Sequence, residues 1–204
     1  MQDNINREQL DRNLLAAVNN FVQRYNSPFV EKFKPGLRDW GDVWTGVGEV
    51  YLPAAGFLTS ALTTTHPETH DLLTLFEQHR HRLLWEQSYR KTDGVVSDAL
   101  LDGYGFTEIV GSRGPLVSNR IRCGIGVWGP DIVYPNHRHK AEEIYILLAG
   151  SAEYSVADEK KCYCAGDVVF VESMDVHGFQ TTTEALVVCY LWQAGDLREI
   201  SSFV

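Results

Sequence analysis

Two histidines two residues apart, His137 and His139, are followed at a spacing of four by Glu143 and then by Tyr145, within the segment "YPNHRHKAEEIYILLAG". Residues two apart on a strand point to the same face, so the histidines share one. Glu143 and Tyr145 share another if "KAE" turns the chain into the next strand. Two adjacent strands would then aim two imidazoles, a carboxylate and a phenol at one point. His177 closes "GDVVFVESMDVHGF", where Gly166 and Asp167 make a turn before an apolar strand, and it is the natural additional ligand. Imidazole nitrogen plus carboxylate oxygen suits one divalent transition metal (zinc, iron, manganese, nickel, copper or cobalt) and does not choose among them. A solvated strand could carry "HRHKAEE" with no function, but the adjoining "IYILLAG" is too apolar for a surface. Burying two histidines and a glutamate unpaired would cost several kcal/mol, a conflict that a metal resolves.

The chain contains its own control. "HRH" also occurs at His79 to His81, in a stretch that reads as helix, where positions two apart diverge by about 200°. No glutamate stands four residues after His81; that position is Trp85. The first "HRH" therefore reads as a solvated helix face. His66 and His70 could share a helix side but have no carboxylate partner, and read as structural or surface residues.

Several elements must position these groups. Leu10, Leu14, Leu15, Val18, Phe21, Val22 and Tyr25 make one helical stripe from about Asn6 to Tyr25. Lys32 to Thr65 also reads as helical, broken by glycines and Pro53. Pro67 followed by acids predicts a further helix from about Pro67 to Tyr89. From Phe106 the texture changes to short β-branched and aromatic runs between Gly, Pro, Asn and Asp. Strands are expected at Thr107–Val110, Arg120–Trp128, Ile132–Asn136, Glu143–Leu148, Ala152–Val156, Asp167–Val171, His177–Thr181 and Leu186–Trp192. Short strands without intervening helices imply a mainly β antiparallel sandwich or barrel. The expected organisation is an N-terminal helical extension over residues 1–104 packing on a β-barrel over 105–204.

The 204 residues, 44% of them hydrophobic, suffice for one core with a helical appendage. The net charge of -9 argues against nucleic-acid and anionic-membrane surfaces and suits a small-molecule substrate. "MQDNINREQL" lacks the basic-then-apolar pattern of a secretory signal, and no apolar run reaches the ~20 residues of a membrane span, so a cytoplasmic location is expected. A homodimer is left open. Cys123, Cys162, Cys164 and Cys189 form no C-x-x-C pair and are expected as buried free thiols.

His137-x-His139-x-x-x-Glu143, six residues and then Gly150, resembles the first motif of the cupin family; Gly166 to His177 matches the second more loosely. Glu172, Met174 and Thr181 depart from it without touching the ligands. The resemblance covers roughly residues 105 to 195 and implies a small antiparallel β-barrel, a double-stranded β-helix, with a metal inside. With Tyr134 ahead of the histidines, Tyr145 two beyond the glutamate, Trp192 on the last strand and about a hundred largely helical residues first, the chain looks like the cupin-type dimethylsulfoniopropionate lyases, the DddQ group. That resemblance implies metal-site roles for His137, His139, Glu143, His177 and Tyr145, with Tyr145 as catalytic base, and substrate-pocket roles for Tyr134 and Trp192. His137 either holds the metal or yields its place to Tyr145 and orients it. The implied reaction is metal-dependent β-elimination of a zwitterionic sulfonium carboxylate, dimethylsulfoniopropionate, to dimethyl sulfide and acrylate. The alternatives are a cupin dioxygenase or isomerase acting on another small carboxylate, and a non-catalytic small-molecule-binding cupin.

Overall fold

The computed structural model describes residues 6–38, 40–94, 96–199 and 201–204. Helix α1 (Arg7–Arg24) begins where Asn6 accepts the Gln9 backbone N–H at 2.8 Å, a side-chain N-cap, and buries Leu10, Leu14, Val18, Phe21 and Val22 as the spacing predicts. Four shorter helices follow: α2 (Pro28–Phe33), α3 (Phe57–Ala61), α4 (His70–His79) and α5 (Asp98–Gly103).

Eleven strands among the described residues form the rest: β1 (Tyr104–Gly111), β2 (Leu116–Val117), β3 (Ile121–Trp128), β4 (Val133–Arg138), β5 (Glu142–Ala149), β6 (Ser151–Val156), β7 (Glu159–Cys164), β8 (Val168–Val171), β9 (His177–Thr181), β10 (Leu186–Gln193) and β11 (Ser202–Phe203). They make two sheets, ordered β2-β1-β3-β10-β5-β8 and β11-β4-β9-β6-β7. The pairings are antiparallel except for β1 with β2. This is the expected cupin-type barrel with its helical N-terminal extension.

The central strands of the six-stranded sheet are buried on both faces, which explains their nearly unbroken apolar sequences. Ile121, Cys123, Ile125, Ile144, Ile146, Val187, Cys189 and Leu191 face outward into one core shared with Leu14, Phe33, Leu58 and Leu73 of the helices. Tyr145, Leu147, Val188 and Tyr190 face inward, into an aromatic core with Tyr104, Trp128, Tyr134, Tyr154 and Phe179. The period of two thus divides one sheet between two cores, and the inner core holds the site.

The structure corrects three expectations about elements. The helix expected from Pro67 to Tyr89 spans only His70–His79, followed by a 3-10 turn at Arg80–Arg82. Beyond it the chain is extended: Leu83 and Trp85 are buried at a spacing of two, Leu84 bridges Val50 and Glu86 bridges Phe106. Lys32 to Thr65 is mostly irregular; its helical pieces are the end of α2, α3 and short 3-10 turns. Its glycines and Pro53 interrupt it, and Trp44 bridges Leu116 at the sheet edge. The cysteines are not all buried. Cys123 and Cys189 are, with sulfurs 4.0 Å apart, whereas Cys162 and Cys164 lie exposed on edge strand β7.

Candidate metal centre and substrate cavity

His137 is the next-to-last residue of β4 and His177 begins β9, and the two are direct cross-strand partners in the five-stranded sheet. Glu143 and Tyr145 lie on β5, in the opposite sheet. The expectation of two adjacent strands therefore needs correction: the groups converge across the barrel rather than along one sheet. "KAE" carries the chain from one sheet to the other.

The three imidazoles gather closely. Ring centroids are 4.1 Å apart for His137 and His177, 4.8 Å for His139 and His177, and 5.8 Å for His137 and His139. Each Nδ1 lies 2.9 Å from a backbone carbonyl two residues away: Pro135 for His137, Ala141 for His139 and Asp175 for His177. With Nδ1–H donating there, the ring is fixed and the Nε2 lone pair is left for a ligand, the usual support of a metal-binding histidine. One coordinating atom from each of the three lies within 4.8 Å of the others. His177 Nε2 is buried and has no hydrogen-bond partner among the described residues.

Glu143 Oε2 lies 3.1 Å from His139 Nε2 and 3.8 Å from His177 Nε2, and it accepts the Tyr145 hydroxyl at 2.7 Å. Burial pushes the Glu143 carboxyl up, but the His139 hydrogen bond, the charges of His139 and His177 and the Tyr145 hydroxyl outweigh it and leave the group below its usual range. For His139, burial disfavours the charge, yet the bond to Glu143 raises the pKa overall. His139 Nε2 and the Glu143 carboxylate thus face one another at 3.1 Å. His137 lacks such a partner, and burial together with His177 pushes it down to about 3. Tyr145 is pushed well above its usual value by burial and by the Glu143 charge, so here it is a phenol. This donor set, an orphaned imidazole nitrogen included, fits a divalent transition metal.

A cavity open to solvent leads to these groups and includes Tyr134, Trp192, Arg122 and Tyr190 in its wall. Tyr134 is buried edge-on to His137, with centroids 5.2 Å apart, and its ring stacks on Phe179. Trp192 is less free than the resemblance implies. The Arg122 guanidinium lies over its ring at 4.5 Å, and the His139 ring is 4.7 Å away. Arg122 approaches from β3 and Glu143, the partner of His139, from β5, so the indole is held between a cation and an imidazole.

Trp40, Trp44 and Tyr51 do not line the cavity. Trp40 is in the outer core, Trp44 donates to Asp11 Oδ2 at 2.9 Å, and Tyr51 stacks on His81. Sequence reasoning missed Arg122, Glu108 and Tyr190. A signal existed in "RIRCGIGVW": the apolar residues occupy alternate positions, so Arg122 falls on the other face, beside Gly124 and Gly126, where a charge needs a buried partner.

The sequence profile of the dimethylsulfoniopropionate lyase family matches residues 47–188 of the chain's 204. The chain belongs to that family. Over 71 residues it is 42% identical to the putative dimethylsulfoniopropionate lyase DddL of Cereibacter sphaeroides, covering 34% of this chain and 29% of that one. Over 99 residues it is 32% identical to the dimethylsulfoniopropionate lyase DddQ of Ruegeria pomeroyi, covering 48% and 49%. The matched stretches span at most about half the length of these relatives. The fold is shared with the crystal structure of DddQ from Ruegeria pomeroyi DSS-3 (TM-score 0.84, 24% identity, 96% of both chains). It is shared equally with a chain from the crystal structures of the lyases RdDddP and RnDddQII (TM-score 0.85, 21% identity, 96% of this chain and 97% of that one). Among the described residues of this family member, no helix is long and apolar enough to cross a membrane.

Proposed function

We propose that the chain is a metal-dependent carbon–sulfur lyase that cleaves dimethylsulfoniopropionate to dimethyl sulfide and acrylate. The observation that carries this reading is the Tyr145 hydroxyl, 2.7 Å from Glu143 Oε2 and at the edge of the histidine cluster, facing the cavity. Family membership supports the substrate class. His139, Glu143, His177 and His137 would hold one divalent ion of zinc, iron, manganese, nickel or cobalt, with Tyr145 beside it. Such an ion, when bound, supplies positive charge that favours a phenolate at Tyr145 and stabilises the negative charge that develops on the substrate carboxylate.

Tyr145 Oη takes the proton from the carbon beside the carboxylate. The C–H electron pair becomes the second bond to the β-carbon, the β-carbon–sulfur bond breaks, and its electrons leave with sulfur as neutral dimethyl sulfide. Acrylate remains, and Tyr145 passes its proton to solvent before the next turnover. His137, held by Pro135 O and facing Tyr134, orients this end of the cavity. A sulfonium has no proton to donate, so aromatic faces suit it, each contributing roughly 0.5 to 2 kcal/mol. With Trp192 clasped between Arg122 and His139, that role moves towards Tyr134, with Trp192 acting at the carboxylate end.

The test is headspace detection of dimethyl sulfide with acrylate by chromatography after reconstitution with each metal. Equimolar products in at least one reconstitution support the reading; a folded, metal-loaded protein that yields neither product overturns it.

A further inference from the structure

The buried pair Glu108–Arg122 has no part in the elimination as written, yet it is built into the cavity wall. Arg122 is 3% exposed and Glu108 2%. Arg122 Nε donates to Glu108 Oε2 at 2.6 Å, while Glu108 Oε1 accepts the backbone N–H groups of Arg113 and Gly114 at 2.6 and 2.9 Å. The turn after β1 is shaped around this pair. A Cβ at Gly111 would meet Glu108 Oε1 at 2.5 Å and Arg122 Cγ at 2.8 Å, and φ there is +149°. The guanidinium lies over the Trp192 ring, 4.5 Å from its centroid, which limits its movement.

A guanidinium has five N–H donors in a rigid fork. Among the described residues only the Nε donor of Arg122 is taken; Nη1 and Nη2 have no protein acceptor. Neither Nη is among the buried polar atoms left without a partner, so both remain accessible from the cavity side. Here the bond is made by Nε alone, and Arg122 lines the cavity. Its row across the sheet is Arg122, Trp192 and Glu143; the next inward row is Gly124, Tyr190 and Tyr145. A small acid bound at Arg122 therefore lies within one residue row of the Tyr145 position.

We infer that Arg122 is the specificity-determining residue for the substrate's carboxylate, which accepts hydrogen bonds from its Nη groups, while Glu108 and Trp192 are the positioning residues that aim it. This extends the lyase reading and rests on it for the identity of the acid. It assigns the two ends of a zwitterion to two walls, carboxylate at Arg122 and cation toward the rings around Tyr134. The site then discriminates a carboxylate from its neutral amide beyond what a bound metal provides.

Isothermal titration of the metal-loaded protein with propionate and with propionamide tests this, with circular dichroism and metal content as controls. The double variant Glu108→Gln/Arg122→Met removes both charges together, so that neither is left buried and unpaired. It is expected to bind propionate about 10- to 100-fold more weakly, the worth of hydrogen bonds to a charged group, while propionamide affinity holds. Arg122→Lys keeps the charge but not the fork, and its propionate affinity is expected to fall between wild type and the double variant. An unchanged propionate-to-propionamide ratio in both folded, metal-loaded variants overturns the assignment. The two readings fail separately. Propionate selectivity that depends on Arg122 without dimethyl sulfide release removes the elimination and keeps the anion receptor, whereas turnover with an unchanged ratio does the reverse.

Discussion

The tripeptide His-Arg-His occurs at residues 79–81 and again at 137–139, and the two copies have opposite fates. The first spans the end of α4 and a 3-10 turn; His79 is half-buried, His81 is exposed and stacked on Tyr51, and no carboxylate among the described residues bonds either ring. The second leaves β4 for the barrel interior, where both rings are buried, both Nδ1 atoms rest on carbonyls, and His177 and Glu143 complete the cluster. Residue type does not make a site; backbone period and what stands opposite decide it.

The comparison breaks most easily at the ligands. His139→Ala, Glu143→Ala and His177→Ala are each expected to lower bound metal and to reduce kcat/KM by more than about 100-fold, whereas His79→Ala and His81→Ala leave both unchanged. Metal analysis and product assays on the five variants check this, and comparable losses from the first copy would erase the distinction. Removing the metal with a chelator comes next. An ion present at about 100 times its Kd stabilises by about 2.7 kcal/mol, or roughly 5 to 11 °C in Tm for a chain of this size, and calorimetry should show that drop for wild type but not for His139→Ala.

Acid sharpens the contrast in metal-free protein. The unfolded chain protonates His137 near pH 6.5, whereas the fold holds this group neutral to about 3. Its contribution is thus fully present above about pH 6.5 and declines as pH falls toward 3, because only the unfolded state gains the proton. Histidine NMR should show His79 titrating while His137 stays neutral at pH 5; a His137 midpoint near 6.5 would contradict its burial. The smallest effect belongs to the first copy: His81→Ala, losing one exposed stack on Tyr51, is expected to change unfolding free energy by less than about 1 kcal/mol.

The sequence revealed the site better than its setting. His137 lies on β4, Glu143 and Tyr145 keep the strand period on β5, His139 follows just past β4 and His177 begins β9, so local spacing singled out five side chains that the fold brings together. That β4 and β5 lie in opposite sheets is a property of the connection, which spacing does not carry. The strands near the site were legible because alternation and turn residues agree there, with His177–Thr181 matched to the residue. Three others were not: β7, charged and exposed; β2 and β11, two residues each. "HRLLWE" reads as helix because its leucines are adjacent, yet backbone bonds from Trp85 to Val50 and from Glu86 to Phe106 hold it extended. Arg122 was hidden for a related reason, since its partner Glu108 comes from a different strand.

The central claim is that Tyr145 takes the proton in a cluster that the histidines and Glu143 hold together. The most direct measurement is turnover of dimethylsulfoniopropionate by Tyr145→Phe against wild type at matched metal content. Loss of the base is expected to lower kcat by about 10²- to 10⁴-fold while the metal stays bound and the fold intact. A Tyr145→Phe protein with full metal and wild-type kcat would contradict the account and move the base elsewhere in the cavity.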